Sequence, residues 1–194
     1  MQSKKNQVLG IIELILIAIG LSMDSLAVSL TSGSLQCVTY KKGLRIAIVF
    51  ALFQAAMPVL GWLLGVSFKG FIESYDHWIA FSILFIIGLK MILEAIKVSP
   101  EDRQFNINKN YVLIMLALAT TIDAFVVGIS FGFLEVNILL ASLVIGIVTF
   151  IFSYGGVCLG KLNRFVKPRT AELLGGLVLI IIGIKILIEH SNKF

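Results

Sequence analysis

The sequence predicts an all-α membrane protein of six transmembrane helices, arranged as two inverted three-helix repeats. Three observations lead there. The 194 residues are 58% hydrophobic and 14% charged, with a mean hydropathy of +1.00, well outside the range of soluble domains. The apolar residues fall into six runs of about 20, the length that carries an α-helix across a hydrocarbon core of roughly 30 Å. Finally, Ser22-Met23-Asp24-Ser25-Leu26-Ala27-Val28 returns ninety-nine positions later as Thr121-Ile122-Asp123-Ala124-Phe125-Val126-Val127. A barrel is excluded, because its strands are about 10 residues long and alternate in polarity, whereas these runs are apolar all round.

The first run, near 8–30, follows Lys4 and Lys5 as in a signal peptide. It is too long for one, carries Asp24, lacks a small-x-small cleavage site and is copied internally, so a retained helix is expected. The stretch from Thr31-Ser32-Gly33-Ser34 to Lys41-Lys42-Gly43 has the composition of a polar turn, either a plain loop or the lining of an inner vestibule. The second run, 44–66, contains Gln54-Ala55-Ala56-Met57-Pro58. Pro58 removes one backbone donor and leaves carbonyls near Gln54 open to a neighbouring helix, a water or an ion; a packing kink is the alternative. The third run, 77–97, opens with His77-Trp78, read as interfacial residues.

Residues 98–110 form the one long polar stretch and are read as a linker. Runs near 111–133, 137–159 and 171–190 follow. Gly88-Leu89-Lys90-Met91-Ile92-Leu93-Glu94 returns as Gly183-Ile184-Lys185-Ile186-Leu187-Ile188-Glu189, and Leu60-Gly61 as Leu159-Gly160. The chain 1–194 is therefore expected to be a single transmembrane domain, with repeat one about 8–97 and repeat two about 111–190. An odd number of helices per repeat makes the two repeats enter the membrane from opposite sides, the plan of many secondary transporters, whose sites lie at the midplane.

The net charge of +5 reflects topology rather than a nucleic-acid partner. Lys41, Lys42, Arg45, Lys97, Arg103, Lys109, Lys161, Arg164, Lys167 and Arg169 lie in or beside the loops after the first, third and fifth helices. The termini and the other loops hold Lys4, Lys5, Lys69 and Lys193. The positive-inside rule then puts the three basic loops in the cytoplasm and both termini outside. Cys37 and Cys158 suggest neither a disulfide framework nor a thiolate metal site. With no nucleotide-binding Gly-rich loop and no nucleophile elbow, a transporter is expected rather than an enzyme.

Asp24 and Asp123 carry the functional signal. A carboxylate at the centre of a membrane helix costs on the order of 3 kcal/mol, so something must compensate it. One option is a structural ion pair with Lys90 or Lys185; the other is a hydrated cavity in which the carboxylates bind a cation or relay a proton. Ser22, Ser25, Ser29, Thr120, Thr121 and Gln54 supply neighbouring oxygens of the kind that suit Mg²⁺, Ca²⁺ or Mn²⁺, and Met23 adds one softer atom that tilts the balance to Mn²⁺. Met23 can equally serve only as packing. The candidate metal ligands are Asp24, Asp123, Gln54, Met23, Ser25 and Thr120.

These residues also carry a resemblance. Gly20-Leu21-Ser22-Met23-Asp24-Ser25, Pro58-x-x-Gly61-Trp62, His77-Trp78-Ile79-Ala80-Phe81, Ala119-Thr120-Thr121-Ile122-Asp123-Ala124 and Ala171-Glu172-Leu173-Leu174-Gly175-Gly176-Leu177-Val178-Leu179 resemble the bacterial manganese efflux pump family MntP, in order and spacing. The resemblance implies an inner-membrane exporter of Mn²⁺ in which Asp24 and Asp123 match the functional aspartates of the family. It departs at Gln54, where the family carries a glutamate before the proline. The expected partners are a divalent metal ion as cargo and the lipid bilayer, with no resident cofactor; self-association into a homo-oligomer is left open. Two competing readings are an exporter of a small organic solute such as a basic amino acid, and a membrane scaffold whose aspartates stabilise helix packing.

The charge pattern makes the topology testable. Cysteines introduced beside Lys41 and Arg164 should be protected from impermeant reagents in intact cells, and labelling from outside would reverse the assignment.

Overall fold

The computed structural model describes residues 10–35, 38–72, 76–97, 110–134, 136–162 and 168–191. Its helices are α1 (Ile11–Leu35), α2 (Tyr40–Ile72), α3 (Asp76–Lys97), α4 (Asn110–Thr120), α5 (Ile122–Phe133), α6 (Ile138–Lys161) and α7 (Pro168–Ser191). Helices α4 and α5 together make one apolar stretch, Asn110–Phe133. Among the described residues, four stretches are long and apolar enough to cross a membrane, and α3 and α7 contain the shorter apolar segments Phe81–Leu93 and Gly175–Lys185. Of the expected linker, residues 98–109 lie outside the described set, as do the side chains of His77 and Trp78, while Asn110 opens α4.

The expected turn between the first two helices is shorter than its composition suggests. Thr31–Leu35 continue α1, and α2 already begins at Tyr40. Thr31 and Ser32 donate their hydroxyls to the carbonyls of Ala27 and Val28, one turn back. Their polarity is satisfied inside the helix and does not end it. Helix α2 is 33 residues long, about 50 Å at 1.5 Å per residue, so it extends beyond a hydrocarbon core of roughly 30 Å.

Buried polar side chains are set within an apolar core, and the exterior is apolar as well. Ser22, Ser25, Ser29, Gln54, Thr121, Asp123, Ser130, Thr149 and Ser153 are buried, whereas Leu139, Leu143, Ile147 and Ile151 form an exposed stripe along α6. Such an exterior suits lipid, where apolar surface carries no penalty and polar groups must be satisfied within the protein.

The extensive contacts join helices of one half to helices of the other: α1 with α6 and α7, α2 with α5 and α6, and α3 with α7 and, less, α5. Glycines permit the closest of them. Gly61 lies against the Phe125 carbonyl and Gly128 against that of Pro58. On the opposite pair, Gly33 meets the Val157 carbonyl and Gly160 that of Leu30. At one end of the bundle Ser34 donates to the Gly160 carbonyl at 3.0 Å, Arg45 donates to Asn110 Oδ1 at 2.6 Å and Lys161 sits 3.9 Å above the Tyr40 ring. The last turns of α1 and α6 and the first turns of α2 and α4 thus share one end with Lys41, Lys42, Arg45 and Lys161, the basic end of the bundle.

Backbone contact at Gly128 leaves no room for a side chain, since a Cβ there would meet the Pro58 backbone. Gly128→Ala should therefore destabilise the protein by about 1–3 kcal/mol, the usual cost of overpacking. Gly155, with no atom within 4 Å of a built Cβ, should accept alanine without loss. Thermal unfolding in detergent compares the two variants.

Candidate metal site

Asp24 lies near the middle of α1 and is half-buried. Asp123 is the second residue of α5, directly after the interruption at Thr121, and is buried. The break has a local cause. The Thr120 hydroxyl donates to the carbonyls of Leu116 and Ala117, and that of Thr121 to Ala117 and Leu118. Two adjacent β-branched residues that both bond back on the preceding turn compete with the regular backbone ladder. Thr121 adopts φ −105° and ψ 5°, and α5 restarts without a side-chain cap from it. The carboxyl of Asp123 serves the new N-terminus instead, with Oδ1 accepting from the Ala124 N–H at 2.7 Å. That places it at the positive end of the α5 dipole, while Oδ2 is buried and has no hydrogen-bond partner.

The charged side chains whose fields reach the Asp123 carboxyl are Asp24 and Lys90. Residues of both sequence halves therefore act on one another here. Lys185, the other lysine considered as a counter-charge, forms an ion pair with Glu13, and Glu13 also accepts from the Gly10 N–H at 3.0 Å.

Gln54 is fully buried on α2, one turn before Pro58. Its Nε2 donates to the Leu21 carbonyl of α1 at 3.0 Å, and its Oε1 has no partner. It thus faces α1, not lipid. Near the same turn, Ser142 Oγ of α6 donates to the Ala55 carbonyl of α2 at 2.6 Å.

The remaining sequence candidates differ in orientation. Met23 packs its Cβ and Cγ against Gly175 of α7, beside Met91. Ser25 is buried with an unpartnered hydroxyl, whereas the Thr120 hydroxyl is turned onto its own helix. Among the described residues no three His, Cys, Asp or Glu side chains group together as a metal site. An ion held here would take two carboxylates, with its other ligands from amide, hydroxyl, carbonyl or water oxygens, a donor set suited to hard divalent cations.

Two features escaped the sequence reading. The ninety-nine-residue offset that pairs the aspartates also pairs Gln54 with Ser153, which is buried on α6 with an unpartnered hydroxyl. That signal was available from the repeat. Thr149 contacts Ser22 through their hydroxyls at 2.9 Å, and Phe50 stands at the position equivalent to Thr149, so the repeat gave no hint of it.

Residues 37–187 match the family described as "Putative manganese efflux pump". The chain belongs to this family. It is 44% identical over 95% of its length to "Putative manganese efflux pump MntP 2" of Clostridium botulinum, of which it covers 97%. It is 47% identical over 94% to "Putative manganese efflux pump MntP" of Desulfitobacterium hafniense, covering 97%, and 46% identical over 91% to the Crocosphaera subtropica protein of the same description, covering 95%. No solved structure matches the chain. The family is one of membrane transporters, not enzymes, as the apolar helices and the lack of nucleotide or nucleophile motifs led one to expect.

Proposed function

We propose that the protein exports Mn²⁺ across the bacterial inner membrane, through a central site built on Asp24 and Asp123. The observation that carries the proposal is a pair of carboxylates set inside two apolar, membrane-length stretches, with Asp123 Oδ2 buried and without a hydrogen-bond partner. The names of the relatives support Mn²⁺ as cargo. The nearby unpartnered oxygens, Gln54 Oε1 and Asp123 Oδ2, support an ion or water completing the site, because a buried acceptor without a partner carries a desolvation cost of about 1–3 kcal/mol. Ser25 and, through lesser adjustments, Met23 and Thr120 are secondary ligands in this reading. Lys90 offsets part of the negative charge when no metal is bound.

The inverted repeat gives the site its place. Exchanging the halves turns the contact of α1 with α6 into that of α2 with α5, and the contact of α1 with α7 into that of α3 with α5. This pattern supports a twofold axis in the membrane plane, and the export cycle is then a rocking of one half against the other around the central aspartates. The basic end faces the cytoplasm, both termini lie outside, and cargo enters from the basic end.

Each carboxylate supplies charge that an amide cannot. Asp24→Asn or Asp123→Asn alone should abolish manganese resistance in an exporter-deficient bacterium, with the variant protein still present in the membrane at normal abundance. Full protection by either variant would remove that residue from the site.

Gln54 gives a finer test. Its amide N–H holds the Leu21 carbonyl, a bond that a glutamate keeps only while protonated. A charged glutamate is repelled by that carbonyl and turns toward a bound cation, where it adds a third carboxylate. Gln54→Glu should therefore bind Mn²⁺ more tightly at neutral pH and lose affinity more steeply as pH falls, since protons compete for the added group. Metal titration of both proteins at two pH values measures this, and identical affinities and pH slopes would exclude Gln54 from the site.

A further inference from the structure

The seam between α1 and α6 contains more polarity than the central site uses. The two helices run parallel along it: Ser22 meets Thr149, Ser29 and Leu26 meet Gly156, and Leu30 and Gly33 meet Gly160. Ser22, Ser25 and Ser29 recur at helical spacing on α1 toward α6, and Thr149, Ser153 and Gly156 answer them. This register places Ser153 beside Ser25, between the Ser22 contact and the Ser29 contact.

Among the described residues, several helical hydroxyls are satisfied locally. Thr31, Ser32, Ser67, Thr120 and Thr121 donate to carbonyls one turn back. Ser22 does the same toward Ala18, which leaves Thr149 to donate across the seam to Ser22. Ser25, Ser29 and Ser153 do neither. Each is fully buried, and each hydroxyl has no hydrogen-bond partner in the protein. If the three served only as interhelical glue, they would bond across the seam as Ser22 and Thr149 do. Buried hydroxyls left unpaired in this way are the groups that ordered water satisfies.

The seam also has a direction. It starts at Leu21 and Ser22, where Gln54 reaches α1, and runs to the basic end. There, Gly33 and Gly160 sit against the carbonyls of Val157 and Leu30, so backbone contact closes it in this conformation.

We propose that the α1–α6 seam is the aqueous access path between the aspartates and the basic end, lined by the hydroxyls of Ser25, Ser29 and Ser153 and shut by the glycine contact beyond them. A hydrated cation passing along it exchanges water for hydroxyl oxygens, and admission requires α1 and α6 to part at Gly33 and Gly160. The path rests on the reading of Asp24 and Asp123 as the transport site.

The test uses the full chain with Cys37→Ser and Cys158→Ser, carrying Ser153→Cys, Ser29→Cys or the lipid-facing control Ile151→Cys. A small cationic methanethiosulfonate is applied from either side of sealed membrane vesicles. Ser153→Cys and Ser29→Cys should react at least tenfold faster than Ile151→Cys, from the side carrying the basic loops, and Mn²⁺ should slow the reaction. Rates equal to the control, or reaction only from the opposite side, would overturn the path. Fast reaction from the basic side that Mn²⁺ leaves unchanged would uphold the path while overturning manganese as the cargo of the central site.

Discussion

Close backbone approach between helices of opposite halves is the constraint on which the rest of the structure depends. In hydrocarbon there is little hydrophobic gain from joining two apolar helices, so association relies on packing and on interhelical hydrogen bonds. Gly61 and Gly128 let α2 and α5 touch, while Gly33, Gly156 and Gly160 do the same for α1 and α6. Between those contacts, the carboxylate of α1 comes within electrostatic reach of the carboxylate of α5. Neither aspartate alone makes a divalent site. The interleaving of the halves converts two separately costly residues into one local feature.

The two halves resemble each other in packing more than in chemistry. Asp24 sits in an uninterrupted helix, whereas Asp123 follows a break and takes a backbone N–H of the new first turn. Gln54 and Ser153 differ likewise, since the longer side chain reaches the Leu21 carbonyl of α1 while the shorter one is buried with no hydrogen-bond partner. Two halves with such differences need not present the same face to the two sides of the membrane.

Much of the fold was legible because a membrane imposes a simple rule: a run of about 20 apolar residues reads as a span, and a buried aspartate stands out against it. Asp24 and Asp123 were therefore visible from sequence, whereas the side that Gln54 faces was left open there and is given by its bond to the Leu21 carbonyl. The extent of the polar turns was not. Thr31 and Ser32 look like loop residues in a string of letters, yet their hydroxyls bond back onto α1, and no composition rule distinguishes that from a turn. The break at Thr121 was hidden for the converse reason, since its neighbours are as apolar as any span and only the paired threonines hint at it. The ion pair of Lys185 with Glu13 joins residues near opposite ends of the sequence, which pattern alone does not connect.

Lys90 bears on how a site with two carboxylates can both take and release a doubly charged ion. Its field acts on Asp123 together with that of Asp24, so the local charge without metal is one unit negative rather than two when all three groups are ionised. An arriving divalent cation competes with the ammonium group for the carboxylates. Lys90 is an exposed residue with a long stem, so in the proposed cycle it withdraws toward the surface as the ion enters and returns as it leaves. A fixed positive charge in its place would weaken binding at every step of the cycle, and a neutral residue would leave the emptied carboxylates facing each other without a counter-charge. In the proposed cycle, a mobile cation of the protein's own thus lowers the cost of the emptied state and keeps the ion from being held too tightly to leave.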